Sequence, residues 1–272
     1  MLSEALSYIF AKCQRKYRRL GYLKEAIAIE ARHKRCKSAW ADHLKKSQQE
    51  IINAVRKTKG RKRIVILGAG SGYDIPLKFL LSEFKEIHLV DVIFLGSIIK
   101  RAQKYPQIKL LERDVTGTID YLFESGEAIN LEKLNLTPPI DVLCGADLVI
   151  SCNLMSQLPF NIRNKIQGLE GETSSEAIDL FCRSLILSHL NWLESCKATV
   201  LLLTDLEQHF VPRDHSKKKT DRENALFGLV IDKADQYWIW DIAPCPEVDK
   251  NYSLVHLVGS FYLQKKDKFQ IR

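Results

Sequence analysis

No two of the seven cysteines stand in a Cys-x-x-Cys pair: Cys13, Cys36, Cys144, Cys152, Cys182, Cys196 and Cys245 are scattered along 272 residues. Disulfide frameworks and structural zinc centres both need paired spacing, so an odd, dispersed set argues against either. Free thiols, most of them packed, are expected, in a reducing and cytoplasmic setting. Long hydrophobic runs are also missing. The best, around Ala198 to Leu203, is strand-sized, well short of the roughly 20 residues that span a bilayer. The first residues have no basic segment ahead of an apolar core and no clear cleavage site, so no signal peptide is expected. Proline is absent before Pro76, which leaves helices uninterrupted there. Repeats and low-complexity tracts are lacking too, and an apolar fraction of 46% with 27% charged residues excludes wholesale disorder.

Charge is unevenly spread. Residues 1–63 carry 18 Lys/Arg against 5 Asp/Glu, a net of +13, while the remainder holds 23 basic and 28 acidic residues, a net of −5. The N-terminal region (1–62) therefore either faces an anionic partner such as RNA or covers an acidic surface on the rest of the chain (63–272). Lys12, Arg15, Arg18, Arg19, Arg32, Lys34, Arg35 and Lys37 would make phosphate contacts in the first case. No recognised RNA-binding module accompanies them.

Periodicity predicts three helices first: Ser3 to Leu20, stopped by Gly21; Tyr22 to Lys37; and a third after Ser38 as N-cap, with Trp40, Leu44, Ile51, Ile52 and Val55 on one side. From Arg63 strands alternate with helices. Strands are expected at Ile64–Leu67, Ile87–Asp91, Ile108–Leu111, Asp147–Ser151 and Thr199–Thr204, with two closing strands near Tyr237–Ile242 and Leu254–Leu263. Between them lie helices at Ile75–Phe84, Leu95–Lys104 and Ser175–Ser195, the last with Ala177, Leu180, Phe181, Ser184, Leu185 and His189 on one stripe. Gln208 to Asn224 reads as a polar insertion. Continuous apolar strands separated by helices indicate an α/β fold: a Rossmann-like, mainly parallel seven-stranded sheet with helices on both faces, an antiparallel closing edge and an N-terminal helical cap.

In such a sheet, ligands bind beyond the carboxyl ends of the strands where strand order reverses. Gly68-Ala69-Gly70-Ser71-Gly72 follows the first strand, and glycines there let the backbone turn sharply against a ligand. Asp91 ends the second strand about 20 residues on, placed to accept hydrogen bonds from a ribose. Asp114 follows the third strand, and the fourth runs into Asn153-Leu154-Met155-Ser156-Gln157.

These four motifs, in order, resemble the class I S-adenosylmethionine-dependent methyltransferase family over roughly Arg63 to Leu263. The resemblance implies S-adenosyl-L-methionine as cofactor, with Gly68, Ala69, Gly70 and Gly72 around its methionine and sugar, Asp91 on the ribose, and Asp114 with the backbone of Val115 at the adenine. Asn153 through Gln157 would lie near the methionine end and the transferring methyl. Two departures stand out. Many relatives carry an acid two positions before the first glycine, where this chain has Ile66; Asp74, just past the loop, either takes over that role or caps the following helix. The Asn/Asp-Pro-Pro-aromatic pattern of many amino-directed enzymes is missing after the fourth strand, so the acceptor is unassigned. A protein or small molecule is favoured, with RNA as the other choice.

Methyl transfer needs a positioned acceptor that is neutral or deprotonated when it attacks. The catalytic candidates are Asn153, Ser156 and Gln157, which orient but are weak bases, and His209 in the polar segment with Asp205, Glu207, Arg213 and His215. No metal is expected. Trp238, Trp240, His88 and His189 read as core residues, and Trp40 with His43 as packing against the sheet or closing over the cofactor. Two alternatives stay open: a non-catalytic binding module of methyltransferase fold, and a nicotinamide-dependent oxidoreductase.

Overall fold

A computed structural model describes residues 2–126, 129–168, 174–214, 220–231 and 233–263. Helices α1 (Leu2–Phe10), α2 (Arg15–Arg19), α3 (Tyr22–Arg35) and α4 (Lys37–Lys57) come first. Strands β1 (Arg63–Leu67), β2 (Glu86–Asp91), β3 (Ile108–Glu112), β4 (Leu148–Cys152), β5 (Thr199–Pro212), β6 (Asp221–Asn224), β7 (Gln236–Ala243) and β8 (Tyr252–Leu263) follow. Between them lie α5 (Leu77–Glu83), α6 (Gly96–Ala102), α7 (Ile119–Glu124), α8 (Phe160–Gln167) and α9 (Ser175–Glu194).

The sheet runs β3-β2-β1-β4-β5-β8-β7. The first five strands are mutually parallel, while β8 is antiparallel to both β5 and β7. This is the expected Rossmann-like architecture with its antiparallel closing edge, and short β6 adds an eighth strand against β5. Alternation along each strand divides the core. Ile64, Ile66, Ile87, Leu89, Leu148, Ile150, Leu201 and Leu203 pack with α4, α5 and α6; Val65, Leu67, Val90, Val149, Val200 and Leu202 pack with α9 on the other face. Both faces are covered, which is why these strands read as unbroken apolar runs.

Four local expectations need correction. The single helix from Ser3 to Leu20 is two, broken at residues 11–14. Tyr8 packs with Leu23 and Ile27, whereas Tyr17 and Leu20 pack with Ile119 and Ile162, two separate clusters that the broken segment serves one with each half. Arg18 closes the break by donating to the Tyr8 and Ala11 carbonyls at 2.8 Å each, groups a helix C-terminus leaves unpaired. The third helix starts at Lys37 with Cys36 in the capping position, so Ser38 is inside it. The buried stripe of α9 is Ile178, Phe181, Cys182, Leu185, Ile186, His189, Leu190 and Leu193, while Leu180 and Ser184 face outward. The stripe still follows three- and four-residue spacing, rotated from the expected face. Finally, Gln208 to Asn224 is not a loop throughout. β5 continues to Pro212, because β8 offers it a partner along its whole length and β6 pairs Asp221–Asn224 back against Glu207–Phe210.

The basic N-terminal helices meet acidic side chains of the rest of the chain. Arg35 reaches Glu247 (2.5 Å), Arg32 lies 3.8 Å from the same carboxylate, and Lys16 pairs with Asp120 (2.6 Å). Part of the charge asymmetry is thus internal complementarity. Among the described residues no helix is long and apolar enough to cross a membrane.

His189, on α9, is fully enclosed with its Nε2 2.9 Å from Ser151 Oγ, and burial pushes its pKa down to about 3. The unfolded chain therefore takes up this proton first as pH falls below about 6.5, and the native state loses stability in that window. The expected loss from this group is about 2 kcal/mol between pH 6.5 and pH 5. Chemical denaturation at the two pH values should show a pH dependence shallower by about that amount in His189→Asn.

Candidate ligand site at the sheet switch point

The chain leaves β1 toward β2 and β3, then returns to β4 on the opposite side of β1. This reversal opens a crevice between the carboxyl ends of β1 and β4, the usual ligand position in open α/β sheets. The loop after β1 is held at its root by Gly68 and Ala69 N–H groups donating to the Val90 carbonyl. Gly68 has φ +74°, and a Cβ there would lie 2.7 Å from Leu154 Cβ and 2.9 Å from the Cys152 carbonyl oxygen. Glycine is required because the two loops pack backbone to backbone. Gly70, also at positive φ, has open space around it, the nearest atom to a Cβ being Asp91 Oδ2 at 3.8 Å.

Asp91 spans the base of the loop. Its Oδ2 accepts from Gly70 N–H (2.8 Å) and its Oδ1 from Val92 N–H (2.7 Å). Burial raises its pKa to about 6, against the opposing effect of these N–H groups and that of Ile93. Asp114 follows β3. Its Oδ1 accepts from Thr116 N–H and Oγ1 (2.8 and 2.6 Å) and its Oδ2 from Ile119 N–H (2.9 Å), fixing the turn into α7. Val115 beside it is buried against Val90 and Leu67 on the α9 face.

At the end of β4, Asn153 adopts φ 49°, a left-handed conformation asparagine tolerates better than most residues. Its Nδ2 donates to Asp74 Oδ2 (2.9 Å), which also accepts from Cys152 Sγ (3.3 Å), and its carbonyl accepts from Gln157 Nε2 (2.7 Å). Of the two roles open to Asp74 in the sequence, helix capping is not the one seen: Pro76 stands at the start of α5, and the Asp74 carboxylate faces the β4 loop. Burial raises its pKa. Ile66 is completely buried among the α4–α6 side chains, so the strand position that often carries an acid belongs here to the core.

The N-terminal helices close over this crevice. Glu30 Oε1 on α3 accepts from Ser71 Oγ (2.9 Å) in the glycine loop and Ser97 Oγ (2.8 Å) on α6. His33 stacks on Tyr73 with ring centroids 3.7 Å apart. On α4, His43 lies 3.9 Å from Trp240 in a stacked arrangement, accepts from Trp238 Nε1 at Nδ1 (3.0 Å), and places Nε2 3.4 Å from Asn153 Nδ2. Trp40 Nε1 donates to the Ile242 carbonyl (2.9 Å). Trp40, Trp238 and Trp240 are thus core residues joining α4 to the closing strands. Burial drives the His43 pKa down to about 3, so the ring is neutral at ordinary pH. Because Nδ1 accepts from Trp238, the ring proton sits on Nε2, facing the Asn153 amide.

No family model and no curated protein matches the sequence. Solved structures to which the chain is similar include methyltransferases. Burkholderia thailandensis 1,6-didemethyltoxoflavin-N1-methyltransferase with S-adenosylhomocysteine bound is 12% identical, over 88% of this chain and 90% of that one, at a TM-score of 0.32. The N-methyltransferase NodS from Bradyrhizobium japonicum, also with S-adenosylhomocysteine, is 8% identical over 79% and 86%, at 0.32. An O-methyltransferase family protein from Burkholderia thailandensis is 10% identical over 96% and 68%, at 0.36. Identities this low speak at most to fold.

Of the sequence candidates, the structure brings Gly68, Gly70, Asp91 and Asn153 together at the strand ends, with Ser156 and Gln157 in the turn that follows Asn153, while Ala69 is buried in the core on the α4–α6 face and Gly72 packs against Ile98. Ser156 Oγ donates to Asp205 Oδ2 (3.0 Å). His209 is held by Glu207, two residues back on β5, at 2.6 Å. His215 lies outside the described residues, and among those described no three His, Cys, Asp or Glu side chains converge as metal ligands. Sequence reasoning missed Glu30, whose role depends on how α3 lies over the loop, and His256, a lone histidine in an apolar strand. Alanine at Gly68 should lower stability by about 2 kcal/mol or more, and at uncrowded Gly70 by about 1 kcal/mol; denaturant midpoints of Gly68→Ala and Gly70→Ala check that order.

Proposed function

We propose that the chain is an S-adenosylmethionine-dependent methyltransferase. The observation that carries this reading is the convergence of Gly68–Gly72, Asp91 and Asn153 at the carboxyl ends of β1, β2 and β4, on both sides of the switch point, with Asp114 following β3. The residues fit the cofactor chemically. The open backbone at Gly70 admits a ligand without a Cβ in the way. Asp91 keeps further acceptor lone pairs for two ribose hydroxyls, and Asp114 Oδ2, engaged by one N–H, keeps one for the adenine amino group beside the Val115 backbone. Asn153 Oδ1 is buried with no hydrogen-bond partner among the described residues, which suits an ammonium or N–H donor at the methionine end. Asp74 supplies a carboxylate beside it, in place of the acid that Ile66 excludes.

When bound, the cofactor would supply an electrophilic methyl group on a sulfonium. The chain's own part is to bind the adenosine, hold the methionine end at Asn153 and Asp74, and exclude water beneath α3 and α4. The acceptor is a small molecule or protein on this reading, because part of the basic N-terminal surface, Lys16, Arg32 and Arg35, already faces acids of the same chain.

Titration calorimetry tests the assignment. S-adenosylmethionine and S-adenosylhomocysteine should both bind, and Asp91→Asn should weaken binding at least tenfold. Affinity should also fall as pH drops through about 6, because a protonated Asp91 no longer offers two acceptor oxygens to the ribose. Failure of both ligands to bind at millimolar concentration overturns the reading.

A further inference from the structure

Behind the turn that follows Asn153 lies a buried polar cluster that the cofactor assignment does not use, joined to that turn through Ser156. Asp205, on β5 just past the end of β4, and His256, on β8, are 2% and 6% exposed. His256 Nδ1 lies 3.2 Å from Asp205 Oδ2, close enough for an ion pair though off the line of a good hydrogen bond. Ser156 Oγ donates to the same oxygen. Asp205 Oδ1 and His256 Nε2 have no hydrogen-bond partner among the described residues. Leaving such atoms buried and unpaired is unfavourable, which points to a use.

We infer that Asp205 and His256 form the general-base dyad for the methyl acceptor, with His256 Nε2 as the atom that takes the acceptor's proton. This rests on the methyltransferase reading above and deepens it. A carboxylate beside Nδ1 favours the tautomer with the proton on Nδ1, leaving the Nε2 lone pair free. Asp205 is the positioning residue and also faces the positive charge formed when Nε2 is protonated. Burial alone would raise its pKa, but His256 and Ser156 beside it outweigh that and hold the group below its ordinary value. The titratable groups facing His256 are Asp205 from β5 and His43 from α4; Trp240 from β7 meets its ring edge-on at 5.8 Å. His43 is the lesser candidate base, because its Nδ1 is occupied by Trp238 and its Nε2 carries the proton.

The step balances. The acceptor's lone pair bonds to the methyl carbon of S-adenosylmethionine, the carbon–sulfur pair returns to sulfur to leave a neutral thioether, and the acceptor's proton moves to His256 Nε2. The resulting imidazolium later loses it to solvent. A base of this kind serves an acceptor that keeps its proton at neutral pH, a hydroxyl or a protonated amine, and has no use with a thiolate. Trp240 packs on the ring and Nε2 is buried here, so an acceptor reaches Nε2 by displacing part of its cover.

Two measurements test the dyad. Long-range nitrogen-15 spectra of histidine-labelled protein at pH 8 should show His256 protonated at Nδ1 and bare at Nε2, with the proton redistributed toward Nε2 in Asp205→Asn. A wild-type ring protonated at Nε2 overturns the proposal whether or not any cofactor binds. With methyl-labelled S-adenosylmethionine and catechol or benzylamine as probe acceptors, transfer to at least one is expected. That rate should fall about 100-fold in His256→Gln, with S-adenosylhomocysteine affinity unchanged, and should recover in part when imidazole is added to His256→Gly. Equal transfer by wild type and His256→Gln, or binding of S-adenosylhomocysteine with methylation of neither probe, refutes it. Loss of S-adenosylhomocysteine binding by the wild type would instead bring down the parent reading, and the tautomer still decides the dyad.

Discussion

Everything at the crevice depends on how closely two turns approach each other, the glycine loop after β1 and the left-handed turn at Asn153 after β4. They meet because strand order reverses between these strands, and they fit because Gly68 has no Cβ to set against the Cys152 carbonyl and Leu154. Once that contact is made, the Gly70 amide is aimed at Asp91 and the Asn153 amide at Asp74. The two carboxylates are thereby fixed on opposite sides of the loop. Neither is paired with a cation among the described residues, and burial raises both. A site with two enclosed, weakly compensated acids is prepared for a ligand rich in hydroxyl and N–H donors.

The cap and the sheet share one core. Cys36, Trp40, Ile51, Ala54 and Val55 pack in the same cluster as the strand residues of β1, β2, β4 and β5, and α4 is tied to the closing strands at three points along its length. Trp40 bonds Ile242, His43 bonds Trp238, and Glu50 accepts from Ser260 Oγ (3.1 Å). Each buries a polar group and satisfies it with a partner from the opposite element, so sliding α4 against β7 and β8 would break all three. His43 reaches Asn153 only because this register is held.

Much of this was legible in the sequence, for identifiable reasons. The parallel strands announced themselves as continuous apolar runs because both faces of the sheet are covered. The glycines and Asp91 were legible because backbone approach and strand-end carboxylates leave marks at fixed spacing. The break between α1 and α2 was not, because it is imposed by two distant clusters and an arginine that folds back, none of which alters local helical periodicity. The outer half of β5 looked polar because Glu207, Gln208 and His209 sit beyond the ends of the parallel strands, where side chains stay partly exposed, while backbone pairing with β8 continues regardless. His256 was hidden for the opposite reason. Val255, Leu257 and Val258 flank it, and only the fold reveals that Asp205 stands beside it.

The cap itself is held in two ways. Around α4 the contacts are aromatic and buried, insensitive to salt. Around α2 and α3 buried apolar contacts, Tyr17 and Leu20 with Ile119 and Ile162 and Leu23 and Ile27 with Ile93, are joined by polar and partly exposed ones: Arg35 with Glu247, Lys16 with Asp120, and Glu30 across the hydroxyls of Ser71 and Ser97. Exposed pairs of this kind contribute about 0–1 kcal/mol each and weaken with ionic strength. Bonds such as Glu30 to Ser71 can also be exchanged for bonds to water at small net cost. The polar contacts of α3 over the glycine loop are therefore the part of the cap that salt weakens, while the aromatic contacts of α4 beside Asn153 are indifferent to it. The wall at His43 and Asn153 is thereby the preformed side of the site, because α4 carries the tryptophan that locks it to the closing strands.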